Sequence, residues 1–428
     1  MSLKAMVWIS LAAALASNCP ARAQDTLDVE AARAFSRAEQ LCKADGAGLW
    51  GVDLCGPVLV ADPATRRVVA NMDGVETPLE QHGELFHGQL PDAVPIANTA
   101  TTWNGRSWTM LMTPLPGAET DLSILLAHES WHRVQGQIGL SADHVDADHL
   151  ATEEGRLALR LELRALSAAL TAATPEAETQ AVADALSFRS WRQARFPEAA
   201  AAEAAMERHE GLAEYTGRVL SQDPEMKAHL VQHLRRGDAV SAYARSFAYY
   251  TGPAYGLLLD RHRPGWRQDG EGRRDPAKLL KTTLLLDTPE FAAAGQRYDI
   301  DSVRSEEVQK AETQRRQMAD LSARLVDGPV LAAPVRGANF TFDPNRVTPL
   351  PPHGAVYGLI RAAADWGVLE TTKGGLLSSG WDKLSVDARG AQPSQQGMAG
   401  DGWTLTLKSG WTLIPGARLG DWTIARRP

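Results

Sequence analysis

The stretch Ile124-Leu125-Leu126-Ala127-His128-Glu129-Ser130-Trp131-His132-Arg133-Val134 decides how the rest of the chain is read. It contains the pattern H-E-x-x-H. On an α-helix, His128 and His132 leave the same face one turn apart. Two neutral imidazoles so placed can bind one Zn²⁺ at about 2.0–2.1 Å. Glu129 then falls beside the metal, where it can take a proton from an activated water. Ala127, Trp131 and Val134 form an apolar stripe at helical spacing that would anchor the helix in a core. Thr120 and Asp121 are expected to cap its start, and Gly136 to stop it. Chance would produce H-E-x-x-H roughly 0.02 times in a chain of this length and histidine content. With an apolar run beside the pattern, a metal site is the better reading than coincidental histidines.

Toward the N-terminus, Met1-Ser2-Leu3-Lys4 precedes an apolar run from Ala5 to Ala16 and then Ala21-Arg22-Ala23. A basic start, a short apolar middle and an A-x-A end read as a secretory signal peptide, residues 1–23, cut after Ala23. The run is too short to span a bilayer as a stable helix, and no other stretch approaches a span. The expected location is outside the cytoplasm, periplasmic or secreted. Cleavage removes Cys19 and leaves Cys42 and Cys55, a disulfide candidate in an exported chain. A bridge across that short, Gly-rich loop would contribute about 3 kcal/mol. The net charge of −8 comes without a basic block, so nucleic acid is not an expected partner.

From Gln24 the chain is long enough for one large or two modest domains. Residues 28–45 read as a helix. Val58-Leu59-Val60, Val68-Val69-Ala70, Ile96 to Thr102 and Trp108 to Leu115 read as strands, with a turn at Asp62-Pro63. Such a small sheet would place an edge near the His128 helix, where an extended peptide can pair. Residues 152–259 are helical in pattern. Leu159, Leu163, Leu166 and Leu170 make one stripe, Thr174-Pro175 opens the next helix, Pro197 opens another, and Gly252-Pro253 should kink or break the apolar stretch Val240 to Leu259. Residues 303–326 read as a solvated helix. Beyond Gly328 prolines cluster. Trp403-Thr404-Leu405-Thr406-Leu407 and Trp411-Thr412-Leu413-Ile414 then alternate as strands joined by Lys408-Ser409-Gly410, with their Trp residues expected in a core.

Two histidines and a water leave one zinc position to the protein, and a carboxylate is a common third ligand. Glu153 and Glu154 follow His132 by about twenty residues. Glu210 lies much further on, in His209-Glu210-Gly211-Leu212-Ala213-Glu214-Tyr215. Glu214, one turn from Glu210, can accept the other ring N–H of a zinc-bound imidazole.

H-E-x-x-H followed by a helix with E-G-x-A-x-Y resembles the gluzincin metallopeptidases, the group that includes thermolysin-like enzymes and zinc aminopeptidases. The likeness covers roughly residues 105–260. It implies an α+β, zincin-like domain of a small sheet plus a helical bundle, with Zn²⁺ held by His128, His132 and Glu210 and with Glu129 as the base. Small residues at Gly211 and Ala213 would let this helix pack closely on the His128 helix. Tyr249-Tyr250-Thr251-Gly252-Pro253 is similar to the Y-x-x-G-x stretch of aminopeptidase-like members, which implies Tyr249 as oxyanion donor. The spacing departs from the better-known members, whose third ligand falls where Glu154 lies here. Glu210 therefore requires an inserted helical hairpin, about residues 152–195, and the choice between Glu210 and Glu154 stays open.

The expected architecture is a zincin-like domain over residues 24–327 and a β-rich domain over residues 328–428. The expected function is zinc-dependent hydrolysis of a peptide or protein substrate. Two rivals are a non-catalytic cell-envelope binding protein on the same scaffold and a zinc hydrolase of non-peptide substrates. A purely structural metal site has no need of a base at Glu129, which weighs against the binder. Endo- or exopeptidase action and the oligomeric state do not follow from the sequence.

Overall fold

The structure, a computed structural model, describes residues 20–427 apart from 142–144, 241, 271, 344–345 and 395. The basic and apolar residues behind the signal-peptide reading lie outside the described residues. The expected cleavage point after Ala23 falls in the first turn of helix α1, Pro20–Asp45. Among the described residues, no helix is long and apolar enough to cross a membrane. The chain divides into two compact units, Met1–Ser305 and Glu306–Pro428, and the division falls within the helix Ile300–Ser322.

The first unit is α+β. After α1 come six strands: β1 Val58–Ala61, β2 Arg67–Ala70, β3 Glu80–His82, β4 Leu85–Gln89, β5 Thr99–Trp103 and β6 Arg106–Met112. They form one sheet in the order β3-β4-β2-β1-β6-β5, with β1 and β6 parallel and the other neighbours antiparallel. Alternation along the central strands serves two faces. Val58, Val60, Val69 and Leu111 pack with Leu27, Ala31 and Ala34 of α1. Leu59, Val68, Trp108 and Met110 pack on the other side with Phe86 and Ile96. Cys42, near the end of α1, is bonded to Cys55 ahead of β1.

Helix α2, Glu119–Val134, carries the H-E-x-x-H pattern and lies between the sheet and a helical core. Leu122, Leu126 and Ala127 join the sheet and α1, while Trp131 and Val134 join the helices. The Trp131 ring packs against Trp50 with centroids 4.5 Å apart. The ends of α2 differ from the sequence expectation. Ala118 is the N-cap and makes no side-chain cap bond, while Glu119 and Asp121 lie inside the first turn, where carboxylates favour the helix dipole. The chain runs on through a 3₁₀ turn, Gln135–Ile138, and stops at Gly139, whose φ of 70° suits glycine.

The expected hairpin follows: α3 Glu153–Thr171 and α4 Pro175–Arg195. The Thr174 side chain accepts from the Ala177 N–H, with Pro175 in the first turn. Leu159, Leu163, Leu166 and Leu170 are buried. The next helix is continuous in backbone conformation but has three parts: α5 Ala199–Met206, a π turn Glu207–Gly211 and α6 Leu212–Leu220. After α7, Met226–Gly237, comes α8, Ala248–His262. Helix α8 runs through Gly252-Pro253, where the sequence suggested a kink or a break. A Cβ on Gly252 would sit 2.3 Å from Gly211 Cα, so this glycine is where α8 meets the π turn.

A buried charge network braces the same turn. Arg189 donates to Glu162 at 2.8 Å and to Glu207 at 2.9 Å. Arg192 is paired with Glu162 at 2.8 Å and Glu203 at 2.5 Å. Tyr255 donates to Glu162 at 2.7 Å, and Thr251 to Glu207 at 2.5 Å. All three glutamates and both arginines are buried. Charges so buried persist because each is paired. The hairpin thereby grips Glu207, the first residue of the π turn.

The second unit is β-rich. Among the described residues it has a seven-stranded and a six-stranded sheet. Leu331, Ile360, Ala362, Leu369, Leu384, Val386 and Leu405 share a core. Trp366 and Trp403 are buried, and their indole N–H groups donate to the Pro334 and Asp387 carbonyls at 2.6 and 2.7 Å. Trp403–Leu407 and Trp411–Pro415 are strands, but they do not pair with each other. The first lies between Gly367–Thr371 and Gly397–Gly400, and the second pairs with Trp422–Arg426 in the other sheet. Lys408-Ser409-Gly410 carries the chain between the sheets.

Candidate metal centre

Four elements of the first unit converge on one point. Helix α2 supplies His128, Glu129 and His132; the π turn supplies His209 and Glu210; α6 supplies Glu214; and α8 supplies Tyr249 as its second residue. Close packing of α2 on α6 depends on Gly217, where a Cβ would lie 2.6 Å from the Ile124 carbonyl oxygen. Gly211, expected to serve that contact, instead faces Gly252 of α8.

His128 Nε2 lies 3.1 Å from His132 Nε2 and 3.2 Å from Glu210 Oε2, and His132 Nε2 lies 3.5 Å from that same oxygen. Two donors each about 2.0–2.1 Å from a tetrahedral ion are about 3.3–3.4 Å apart. The three atoms therefore have the separations of a metal's ligand set. Glu129 stands beside them, with the donor atoms of His128, Glu129 and His132 within 4.8 Å of one another. Glu154 lies elsewhere, half-exposed at the start of α3 and bound through both oxygens to Arg195. Glu153 neighbours it in the first turn.

Outer partners are in place. His128 Nδ1 faces Glu214 Oε2 at 3.4 Å, and Glu214 pairs with Arg218 at 2.7 Å. Tyr249 stacks on His128 with ring centroids 5.5 Å apart, and its hydroxyl donates to Glu210 Oε2 at 2.6 Å. The His209 ring packs 4.6 Å from that of His132, and its Nε2 is 3.5 Å from Glu210 Oε1. Sequence reading did not single out His209 or Gln135, since nothing in their local context marks them.

Burial opposes charge at His128, Glu129, Glu210, Glu214 and Tyr249. At His128 that cost is outweighed by the hydrogen bonds it donates to Glu210 and Glu214, which raise the imidazole to about 10. Burial also works against the Glu210 carboxylate, but His128, His132 and Tyr249 hold it well below the usual range. Burial pushes the Glu129 carboxyl up, against the pull of both imidazoles. Burial and the Glu210 charge push Tyr249 up, so its hydroxyl keeps its proton. His128, Glu129, Glu214 and Tyr249 line a cavity of about 760 Å³ that reaches Asn98, the residue before β5.

No protein-family model matches the chain, and no curated protein or solved structure is significantly similar to it. By its own geometry the first unit holds a His/Glu/His cluster able to bind a metal ion and consistent with metal-dependent hydrolysis.

Proposed function

We propose that the protein is an exported zinc-dependent peptidase whose Zn²⁺ is held by His128, His132 and Glu210. The observation that carries this is the triangle of donor atoms at 3.1, 3.2 and 3.5 Å with a buried carboxylate beside it. When bound there, Zn²⁺ would polarise the attacking water and the scissile carbonyl. Glu129 takes the proton of that water and passes it to the leaving amine, a task suited to a carboxyl raised by burial. The oxyanion donor is Tyr249, which lines the same cavity as Glu129 and would turn its one hydroxyl proton from Glu210 to the oxyanion.

A peptide substrate is favoured by the sheet. Among the described strands β5 pairs only with β6, so its outer edge has no strand partner, and Asn98 at its start lines the cavity. An extended peptide can add to such an edge by main-chain hydrogen bonds. The Cys42–Cys55 bridge supports export.

Digestion of a peptide library, with and without a chelator, tests the proposal. Cleavage that chelator abolishes and Zn²⁺ restores is expected. Metal-dependent retention of peptides without cleavage would sink it in favour of a binder.

Proton linkage gives a second expected result. A ligand imidazole must be neutral, and His128 in the metal-free protein holds its proton up to about pH 10. Metal uptake near neutrality therefore releases that proton, and apparent affinity falls as pH falls, by up to about tenfold per unit. Calorimetry in buffers of different ionisation enthalpy should count about one proton released per Zn²⁺. Binding with no proton release would contradict the assignment.

A further inference from the structure

Gln135 opens the 3₁₀ turn after α2 and is buried. The end of its carboxamide assigned as nitrogen lies 3.3 Å from His132 Nδ1 and 3.2 Å from His209 Nδ1. One amide end thus touches two imidazoles at once. The end assigned as oxygen is buried and has no hydrogen-bond partner. No bond therefore pins the amide against a half-turn, and its two ends are told apart only by the groups around them.

The rings decide the matter. A neutral imidazole that binds metal through Nε2 carries its proton on Nδ1 and needs an acceptor there. His128 has one, since its Nδ1 faces the Glu214 carboxylate at 3.4 Å. For His132, the amide end at Nδ1 must then be the oxygen. That oxygen has room for a second N–H, and His209 Nδ1 is equally close. Both rings become the same tautomer, and His132 Nε2 faces His128 Nε2 and Glu210 Oε2. His209 adjoins Glu210 in the π turn, and the donor atoms of His132, His209 and Glu210 lie within 4.8 Å of one another.

We propose that Gln135 turns its carboxamide oxygen to His132 and His209, fixing both rings as Nδ1–H tautomers and so directing His132 Nε2 to the metal. This rests on the metal reading above. Gln135 acts as a positioning residue.

The test uses the full chain loaded with Zn²⁺ or Co²⁺. Gln135→Met should lower zinc affinity, measured by chelator competition, about 10–100-fold. Gln135→Glu, which keeps an acceptor, should restore it. In protein labelled with ¹⁵N, the ring shifts should place the proton on Nδ1 of both His132 and His209. Thermal midpoints of the metal-free variants report any folding defect separately. Wild-type zinc affinity in Gln135→Met overturns the role of Gln135. A wild-type protein that binds no metal overturns the reading beneath it, whereas one that binds metal while Gln135→Met behaves like it overturns this inference alone.

Discussion

Glu129→Gln should retain one Zn²⁺ and lose about 10²–10⁴-fold in kcat, with KM little changed. The substitution keeps the size and the hydrogen-bonding oxygen of the side chain and removes its ability to take a proton. Glu129 is outside the triangle formed by His128, His132 and Glu210, whose mutual distances already suit a tetrahedral ion. Metal occupancy should therefore survive. Its burial in the cavity wall raises the carboxyl, which makes it a stronger base than an exposed glutamate. Steady-state kinetics read alongside metal content separate the alternatives. Full activity would exclude Glu129 as the base. Parallel loss of metal and activity would instead move it among the ligands.

What the sequence makes legible here are features set by short-range spacing. The pattern His128-Glu129-Ser130-Trp131-His132 reads directly because a helix turns two residues four apart onto one face. The α3–α4 hairpin reads from its leucine stripe and from Thr174-Pro175, since capping and apolar periodicity are local. Convergence is not local. Gln135 and His209 meet across two separate elements, and no pattern in either segment announces it. The π turn is equally silent. It adds one residue to a helical turn without altering the kind of residues used, yet it sets the direction of Glu210.

Two local signals are answered by long-range packing. Gly252-Pro253 reads as a kink or break, and α8 runs through it because the glycine is used for close approach to Gly211, so that packing offsets the local cost. Lys408-Ser409-Gly410 is of hairpin length, but partner choice in a sheet is a long-range matter. Trp403 takes its place in a core shared with Leu369 and Leu384, away from the strand that follows it.

Glu210→Ala should lower zinc affinity by more than the roughly 100-fold that losing an outer partner costs, while Glu154→Ala should leave it unchanged. Local motif favours Glu210 and spacing favours Glu154, and their surroundings separate them. Glu154 faces solvent and is engaged by Arg195. Removing it gives up a surface ion pair, which contributes little to stability, and exposes nothing to the metal. Glu210 is buried against both imidazoles and holds the Tyr249 hydroxyl at 2.6 Å. Its loss removes the only carboxylate oxygen within 3.5 Å of both His128 Nε2 and His132 Nε2 among the described residues. The same change should also lower the elevated His128 imidazole, because one of the two carboxylates that stabilise its cation is gone. Glu210→Gln separates charge from shape: it keeps an oxygen near the imidazoles but gives up the negative charge, so it should bind zinc more weakly than wild type and better than Glu210→Ala. The hairpin explains why so distant a residue can serve. Arg189 of α4 holds Glu207 at 2.9 Å, and Thr251 of α8 holds it from the other side at 2.5 Å. The turn that presents Glu210 is thus fixed by the segment that separates it from His132 in sequence. Equal zinc affinity in Glu210→Ala and wild type, measured by chelator competition, would remove Glu210 from the centre.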